Sequence, residues 1–501
     1  MRARRIAAGL GLAALLCANA APVVKTDAGR VRGEALEGNA AAFRGIPFGA
    51  APVGPLRWRD AKRVKPWRGV RAADKFGPAC PQRAEGNRPV LAQGEDCLNL
   101  NVITPDLKAK GLPVLVSIHG GAYAFGSNRF VADQGLSPLL KQGIILVAPN
   151  YRVGRFGFFA HPALTAEAGR GTGNFWLSDQ ALALNWVKRN IARFGGDPKK
   201  VTILGCSAGG SSVNALMASP QTRGLFARAS AHSGGGLFNA NRPLAKAEEQ
   251  GLAFAKRAGV EGRGALARLR ALGADAILAA DPGPPDYGAI VDGHWLPAPL
   301  SHVFAQGKQA AVPYIVGSTS NEASVFGLMG FDAAVLKSRF GVDLAALRPL
   351  YEKAGPLSDA ELLRRVQTDF IFTSAAMGMG ELAAAKAPVW TYHFAHVPAD
   401  QRATAAGASH CADMPYLFGP LPDESAEGRA LATQMQTSWG HFIRTGNPNG
   451  ASAPPWAPTQ PGRASPLLIT AQPAMATDFM AATLPYWYSK WQAESGMRMR
   501  R

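Results

Sequence analysis

Short apolar runs without polar interruption recur along the chain: "VLVSIH" at 114–119, "IILVAPNY" at 144–151, "VTILG" at 201–205 and "PYIVGS" at 313–318. Runs of this length, rich in β-branched residues and lacking polar alternation, predict strands buried on both faces. Between them lie segments with helical spacing, such as "SDQALALNWVKRNIARFGG" at 178–196, with Ser178 as the expected N-cap and Gly195 as the stop. Strands alternating with helices predict an α/β fold on a largely parallel sheet. Near the start, Val23 to Gly33 holds strand-like pieces turned at "TDAG", which predicts an antiparallel opening. Residues 240–290 and 330–385, rich in Ala, Leu and Arg, predict helical insertions over the sheet's carboxyl edge, where α/β proteins place their ligands.

Composition narrows this picture. The 501 residues are 47% hydrophobic and 18% charged, ample for a large core. No linker, repeat or low-complexity block divides residues 21–501, so one domain with insertions is expected. The formal net charge of +19 comes from Lys and Arg scattered in ones and twos, and no aromatic-basic module accompanies them. That pattern predicts a basic solvated surface, not a nucleic-acid site. Residues 1–20, "MRARRIAAGLGLAALLCANA", place arginines before an apolar run from Ile6 to Leu16 and end on small residues, which predicts a cleaved export signal. The run is too short to span a bilayer, and no later stretch reaches the roughly 18 apolar residues of a membrane helix. The mature chain is therefore expected in the periplasm or medium, without a membrane anchor. It keeps Cys80, Cys97, Cys206 and Cys411, an even number suited to disulfides in an oxidising compartment.

The candidate chemistry centres on "VTILGCSAGGSSV" at 201–213. "GCSAG" fits G-x-S-x-G at the end of a strand run and the start of a helical one, where a serine on a tight turn needs nearly side-chain-free neighbours two residues away on each side. Gly205 and Gly209 meet that need around Ser207. A nucleophilic serine also needs amide donors aimed at the developing oxyanion. "SIHGGAYAFGS" at 117–127 follows a strand run, and its paired glycines leave the backbone open to a substrate carbonyl. Gly121 and Ala122 are the expected donors, joined by Ala208 just after the serine. His119 is expected to brace that loop and not to serve as a base.

Further motifs occur in order along the chain: "FRGIPFG" at 43–49, "GEDCLNLNV" at 94–102, "NYRVGRFGF" at 150–158, "NIARFGGDPKKVTILGCSAGG" at 190–210, "LFARASAHSGG" at 225–235, "VDGHWLP" at 291–297 and "WGHFIRTGNPN" at 439–449. Together they resemble the type-B carboxylesterase family of cholinesterases, liver carboxylesterases and bacterial nitrobenzyl esterases, from about residue 22 to 490. The resemblance implies an α/β-hydrolase fold and a Ser-Glu-His triad in that chain order. Glu322, in "GSTSNEASVF", stands at the family's acid position, with Asn321 in place of the usual Asp beside it. His410, in "GASHCADMPYLFG", matches the family's "H-x-x-E/D" loop through Asp413. Serine is a poor nucleophile until an imidazole takes its proton, and the imidazole needs a carboxylate to fix its tautomer. Ser207 is thus the expected nucleophile, His410 the base and then acid, and Glu322 the orienting anion. No metal or cofactor is required.

The resemblance also implies a disulfide between Cys80 and Cys97 and a salt bridge between Arg44 and Glu95. Most relatives carry glutamate where this chain has Cys206. If Ser207 and His410 meet, Cys206 and Cys411, their sequence neighbours, must be close, and the arrangement is similar to a bridged Cys-Ser and His-Cys motif of the tannase and feruloyl esterase family. Two buried free thiols are the alternative. The expected activity is hydrolysis of small-molecule carboxylic esters through an acyl-enzyme. An aryl esterase of the tannase or feruloyl type is the narrower alternative, and a non-catalytic cholinesterase-like binding module the remaining one. "FVADQGLSPLL" at 130–140 and the helices after Arg364 are expected to contribute pocket walls.

Overall fold

The expected buried runs become neighbouring strands of one eleven-stranded sheet. In spatial order its strands are Ala474–Met475, Leu467–Ile469, Val389–Phe394, Tyr314–Thr319, Arg228–His232, Gly196–Cys206, Leu112–Ile118, Ile145–Pro149, Asn99–Thr104, Ala41–Pro47 and Glu34–Ala35. From Leu467–Ile469 through to Ile145–Pro149 every neighbouring pair is parallel. Both margins are antiparallel, so the sheet is largely parallel, as expected, with antiparallel edges. The outermost pairing at each margin, Leu467–Ile469 with Ala474–Met475 and Ala41–Pro47 with Glu34–Ala35, is local and needs no crossover helix. Residues of Tyr314–Thr319, Ile145–Pro149 and Asn99–Thr104 are buried throughout, as strands covered on both faces must be. The computed structural model describes residues 21–83, 92–129, 137–235, 242–283, 287–328, 331–450 and 454–495. The expected export signal and residues 130–136 lie outside them.

The opening hairpin pairs Val23–Lys25 with Arg30–Arg32 around the "TDAG" turn, where the Thr26 amide donates to the Gly29 carbonyl at 2.8 Å. The helix expected from Ser178 begins earlier and runs Phe175–Asn190, continued by a 3₁₀ turn at Ile191–Phe194. Ser178 is therefore not an N-cap. Its hydroxyl accepts from the Ala61 amide at 2.8 Å, because burying Phe175, Trp176 and Leu177 draws them into the helix's first turn. Gly195 does end the helical segment, with φ +94°.

The two inserted stretches build satellite cores beside the sheet. Helices Leu244–Arg257, Ala265–Ala271 and Ala274–Ala280 pack Phe254, Leu269 and Ile277 against Trp58 and Phe159. Helices Ala333–Phe340, Leu344–Tyr351 and Asp359–Gln367 pack Leu336, Leu347 and Val366 against Trp487. A π-helix at Thr368–Thr373 then leads into helix Ser374–Ala384. Single-turn π segments commonly mark functional sites, and this one abuts the cavity described below.

The Arg44–Glu95 pair implied by the resemblance does not form. Arg44 pairs with Glu34, which lies on the adjoining hairpin strand and is its nearer anion. Glu95 is held by Arg57, whose Nε donates at 2.7 Å. Arg57 also donates to the Leu272 carbonyl at 2.6 Å, tying this loop to the first inserted stretch. The expected Cys80–Cys97 disulfide is present, with Cα atoms 4.9 Å apart.

Candidate active site

The strand Gly196–Cys206 turns at Ser207 directly into helix Ala208–Ala218. Ser207 sits at φ +60° and ψ −126°, a conformation that is strained for any residue bearing a Cβ. A Cβ on Gly205 would lie 2.5 Å from the Gly209 backbone, and one on Gly209 would lie 2.2 Å from the Ile118 carbonyl oxygen. Only glycine fits on both sides of this turn. The Ser207 amide donates to the His232 carbonyl at 3.0 Å, anchoring the turn to the next strand.

Facing it, the loop after Leu112–Ile118 holds Gly121 at φ +109° and Ala122 at φ +50°. The Gly121 carbonyl accepts from the amides of Ala124 at 2.8 Å and Phe125 at 3.1 Å. The amides of Gly121 and Ala122 themselves have no partner among the described residues. The Ala208 amide belongs to the first turn of its helix, whose leading N–H groups lack intrahelical acceptors. His119 has the bracing place expected of it. Its ring stacks on Tyr151 at 4.2 Å, its Nδ1 lies 2.9 Å from the Gly120 carbonyl, and the Tyr151 hydroxyl donates to its own carbonyl at 2.8 Å. Desolvation outweighs that carbonyl contact and lowers its pKa to about 4.

Glu322 opens a 3₁₀ turn after strand Tyr314–Thr319 and is fully buried. Its Oε1 accepts from the Thr319 amide at 2.7 Å, while its Oε2 is hydrogen-bonded to Nδ1 of His410. The His410 amide donates to the Ser324 hydroxyl at 2.9 Å, and the Asn321 amide donates to the Ala408 carbonyl at 2.8 Å. The acid loop and the histidine loop thus hold one another. The Nε2 atom of His410 is buried and has no hydrogen-bond partner among the described residues. Cys206 and Cys411 form a disulfide with Cα atoms 6.1 Å apart and a sequence separation of 205. This covalent link joins the residue before Ser207 to the residue after His410. Ser207, Ala208, His410, Gly121 and Ala122 all line one cavity of about 880 Å³.

Asp413, matched by sequence to the His410 loop, serves another histidine. Its Oδ2 lies 2.6 Å from Nδ1 of His232 and accepts from the Tyr392 hydroxyl at 2.6 Å. Burial raises the Asp413 pKa, but the adjacent His232 and the hydrogen bonds with His232 and Tyr392 outweigh it and leave the pKa below the usual carboxylate value. Nε2 of His232 meets the Ser230 hydroxyl at 2.8 Å and accepts from Trp439 at 3.2 Å. Since the His232 carbonyl receives the Ser207 amide, this buried cluster underlies the nucleophile turn. Sequence reasoning passed over His232. Its signal is a histidine closing a buried strand whose register pairs it with Cys206.

Among the described residues, His396, Asp423 and Glu427 form the one group of metal-ligating types, with candidate ligand atoms within 4.8 Å of one another. Both imidazole nitrogens face carboxylates, at 3.4 and 3.6 Å, and Arg402 pairs with Glu427. The Arg402 guanidinium already occupies the Glu427 carboxylate, and none of the three acidic or imidazole groups lines the cavity.

The carboxylesterase family model matches residues 20–353 and 351–487 of the chain. The fumonisin B1 esterase of Sphingopyxis macrogoltabida is 33% identical over 462 residues, covering 86% of this chain and 83% of that protein. The para-nitrobenzyl esterase of Bacillus subtilis is 33% identical over 458 residues, covering 85% and 90%. A solved PNB esterase superposes with a TM-score of 0.81 at 29% identity, over 93% of this chain and 99% of that one. Carboxylesterase EST55 of Geobacillus stearothermophilus gives a TM-score of 0.78 at 30% identity, over 94% and 100%. The chain belongs to the carboxylesterase family, as a carboxylic ester hydrolase with the α/β-hydrolase fold.

Proposed function

We propose that this enzyme cleaves esters with Ser207 as nucleophile, His410 as general base and then acid, and Glu322 as the anion that orients His410. His410 Nε2 takes the Ser207 hydroxyl proton as Oγ attacks the ester carbonyl. The oxyanion rests on the amides of Gly121, Ala122 and Ala208. Collapse expels the alcohol, which leaves with the proton from His410, and the acyl group stays on Ser207. Water, deprotonated by the same imidazole, releases the acid and restores the hydroxyl. The observation that carries this reading is the buried Glu322–His410 pair, whose loop is bonded through Cys411 to the Ser207 turn. Glu322 holds the proton on Nδ1 of His410, which leaves Nε2 as the lone-pair site facing the cavity.

Hydrolysis of short nitrophenyl esters by wild type and Ser207→Ala tests the assignment. Wild-type turnover lost by a factor of about 10⁴ or more in the variant supports it, and turnover surviving in the variant overturns it. The Cys206–Cys411 bond favours one narrower reading, an aryl esterase of tannase or feruloyl type, so gallate and hydroxycinnamate esters belong in the same panel. A binding-only role is disfavoured because no triad position has been lost. Two disulfides, and no described helix long and apolar enough to cross a membrane, support an exported chain.

A further inference from the structure

One wall of the cavity is aromatic and begins at the imidazole. The Phe372 ring lies 5.0 Å from the His410 ring, Phe326 lies 5.8 Å from Phe372, Phe331 lies 5.1 Å from Phe326, and Phe340 lies 6.0 Å from Phe331. All four phenyl rings line the cavity. The wall ends at Arg339, whose guanidinium stands over Phe340 at 5.5 Å from the ring centre. Arg339 has no hydrogen-bond or ion-pair partner among the described residues.

The charge balance of the cavity points the same way. Arg83 and Arg242 also line it, whereas Asp281 is the single carboxylate among its described lining residues. Asp281 is buried and already compensated: Arg155 donates to it at 3.0 Å and the Tyr287 hydroxyl at 2.5 Å. Arg83 donates to the main-chain carbonyl oxygens of Leu278 and Asp281, neither of which cancels a positive charge, and Arg242 donates to that of Gly288. A cleft with low-dielectric aromatic walls and uncompensated guanidinium groups concentrates positive potential and attracts anions. A guanidinium also presents a planar fork matched to a carboxylate.

We propose, resting on the triad reading above, that the preferred substrates are esters bearing a carboxylate on an apolar arm, with the arm along the phenylalanine wall and the carboxylate on Arg339. Arg339 is exposed at the rim of the cavity, so its pairing with the carboxylate stays open to water and salt. Cationic esters are disfavoured by the same positive charge.

The test compares matched pairs of esters that differ only in charge. One pair places it on the acyl side: the nitrophenyl monoester of adipic acid and its methyl-capped counterpart. The other places it on the alcohol side: 4-(acetoxymethyl)benzoate and its methyl ester. Wild-type kcat/KM is expected to favour the anionic member of at least one pair by about two- to fivefold, the scale of an exposed ion pair, and the preference should shrink in high salt. Arg339→Gln should bring that ratio close to one. Lys337→Gln, which removes an exposed charge paired with Asp343 on the same helix, should keep the wild-type ratio. Equal rates within both wild-type pairs overturn the proposal. So does a ratio that survives Arg339→Gln, or one that Lys337→Gln lowers equally, since net charge would then explain it. Turnover of the neutral esters with no anionic preference leaves the triad reading standing, whereas no turnover of any ester defeats both.

Discussion

Replacing both Cys206 and Cys411 by alanine tests how the proposed nucleophile, Ser207, and the proposed base, His410, are kept together. The bond spans 205 residues, so the chain-entropy model assigns it about 5 kcal/mol of stabilisation, against about 3 kcal/mol for Cys80–Cys97 with its separation of 17. Glu322 stays hydrogen-bonded to His410 in the variant, because that contact depends on the Thr319 and Ser324 bonds and not on sulfur. What is lost is the constraint that keeps the His410 loop beside the Ser207 turn. Displacement of a catalytic group by about 1 Å costs on the order of 100-fold in rate. The expected result is kcat for nitrophenyl acetate lowered by roughly 10- to 100-fold with KM little changed, together with a lower denaturant midpoint. The Cys80→Ala/Cys97→Ala variant should lose stability while keeping kcat, because its bond lies outside the serine and histidine loops. Retention of kcat within about twofold in Cys206→Ala/Cys411→Ala would refute the reasoning and leave the bond only a stabilising role.

Asp413→Asn weakens the carboxylate's hydrogen bonds with the fully buried His232 and Tyr392, and losing a hydrogen bond to a charged group costs about 1.5–3 kcal/mol, read as a lower unfolding midpoint. Its activity should fall less than that of Glu322→Gln, because Asp413 does not touch His410; equal losses would contradict the partner assignment. Gly209→Ala, with its Cβ set 2.2 Å from the Ile118 carbonyl, should abolish activity and destabilise the fold, and an active, stable variant would contradict the tight turn. Burial lowers the pKa of His119 and His393 to about 4, whereas the unfolded chain takes up those protons near 6.5. Unfolding free energy should therefore fall as pH drops from about 6.5 to 4, by up to about 3 kcal/mol per imidazole, and flat stability across that window would refute it. Burial raises the Asp369 pKa to about 7, so its contribution has the opposite slope, with stability lost as pH rises from about 4 to 7. Because Asp369 opposes the two imidazoles, Asp369→Asn should steepen the rise of stability with pH in that window, read in urea titrations.

The sequence by itself determined the features that depend on neighbours along the chain. Gly205, Ser207 and Gly209 specify a turn whose steric demand is met within five residues, and the apolar runs at 114–119 and 201–205 could only become strands covered on both faces. Cys206 beside the serine and Cys411 beside the histidine were legible because both lie one residue from groups that had to meet. Tertiary structure decided every choice of partner between segments that are distant in sequence. Asp413 is three residues from His410, yet the register of Arg228–His232 brings His232 to it first. Arg44 took Glu34 from the adjoining strand, and Glu95 went to Arg57. The helix began at Phe175 and not after Ser178, because core burial outweighs a capping hydroxyl worth about 1 kcal/mol. Arg339 looks like any surface arginine in the sequence, and it became a cavity residue only when its helix packed Leu336 and Phe340 against Phe331 and Phe370. Local sterics act between residues that every conformation keeps adjacent, whereas an ion pair or a pocket wall depends on which surfaces the whole chain buries together.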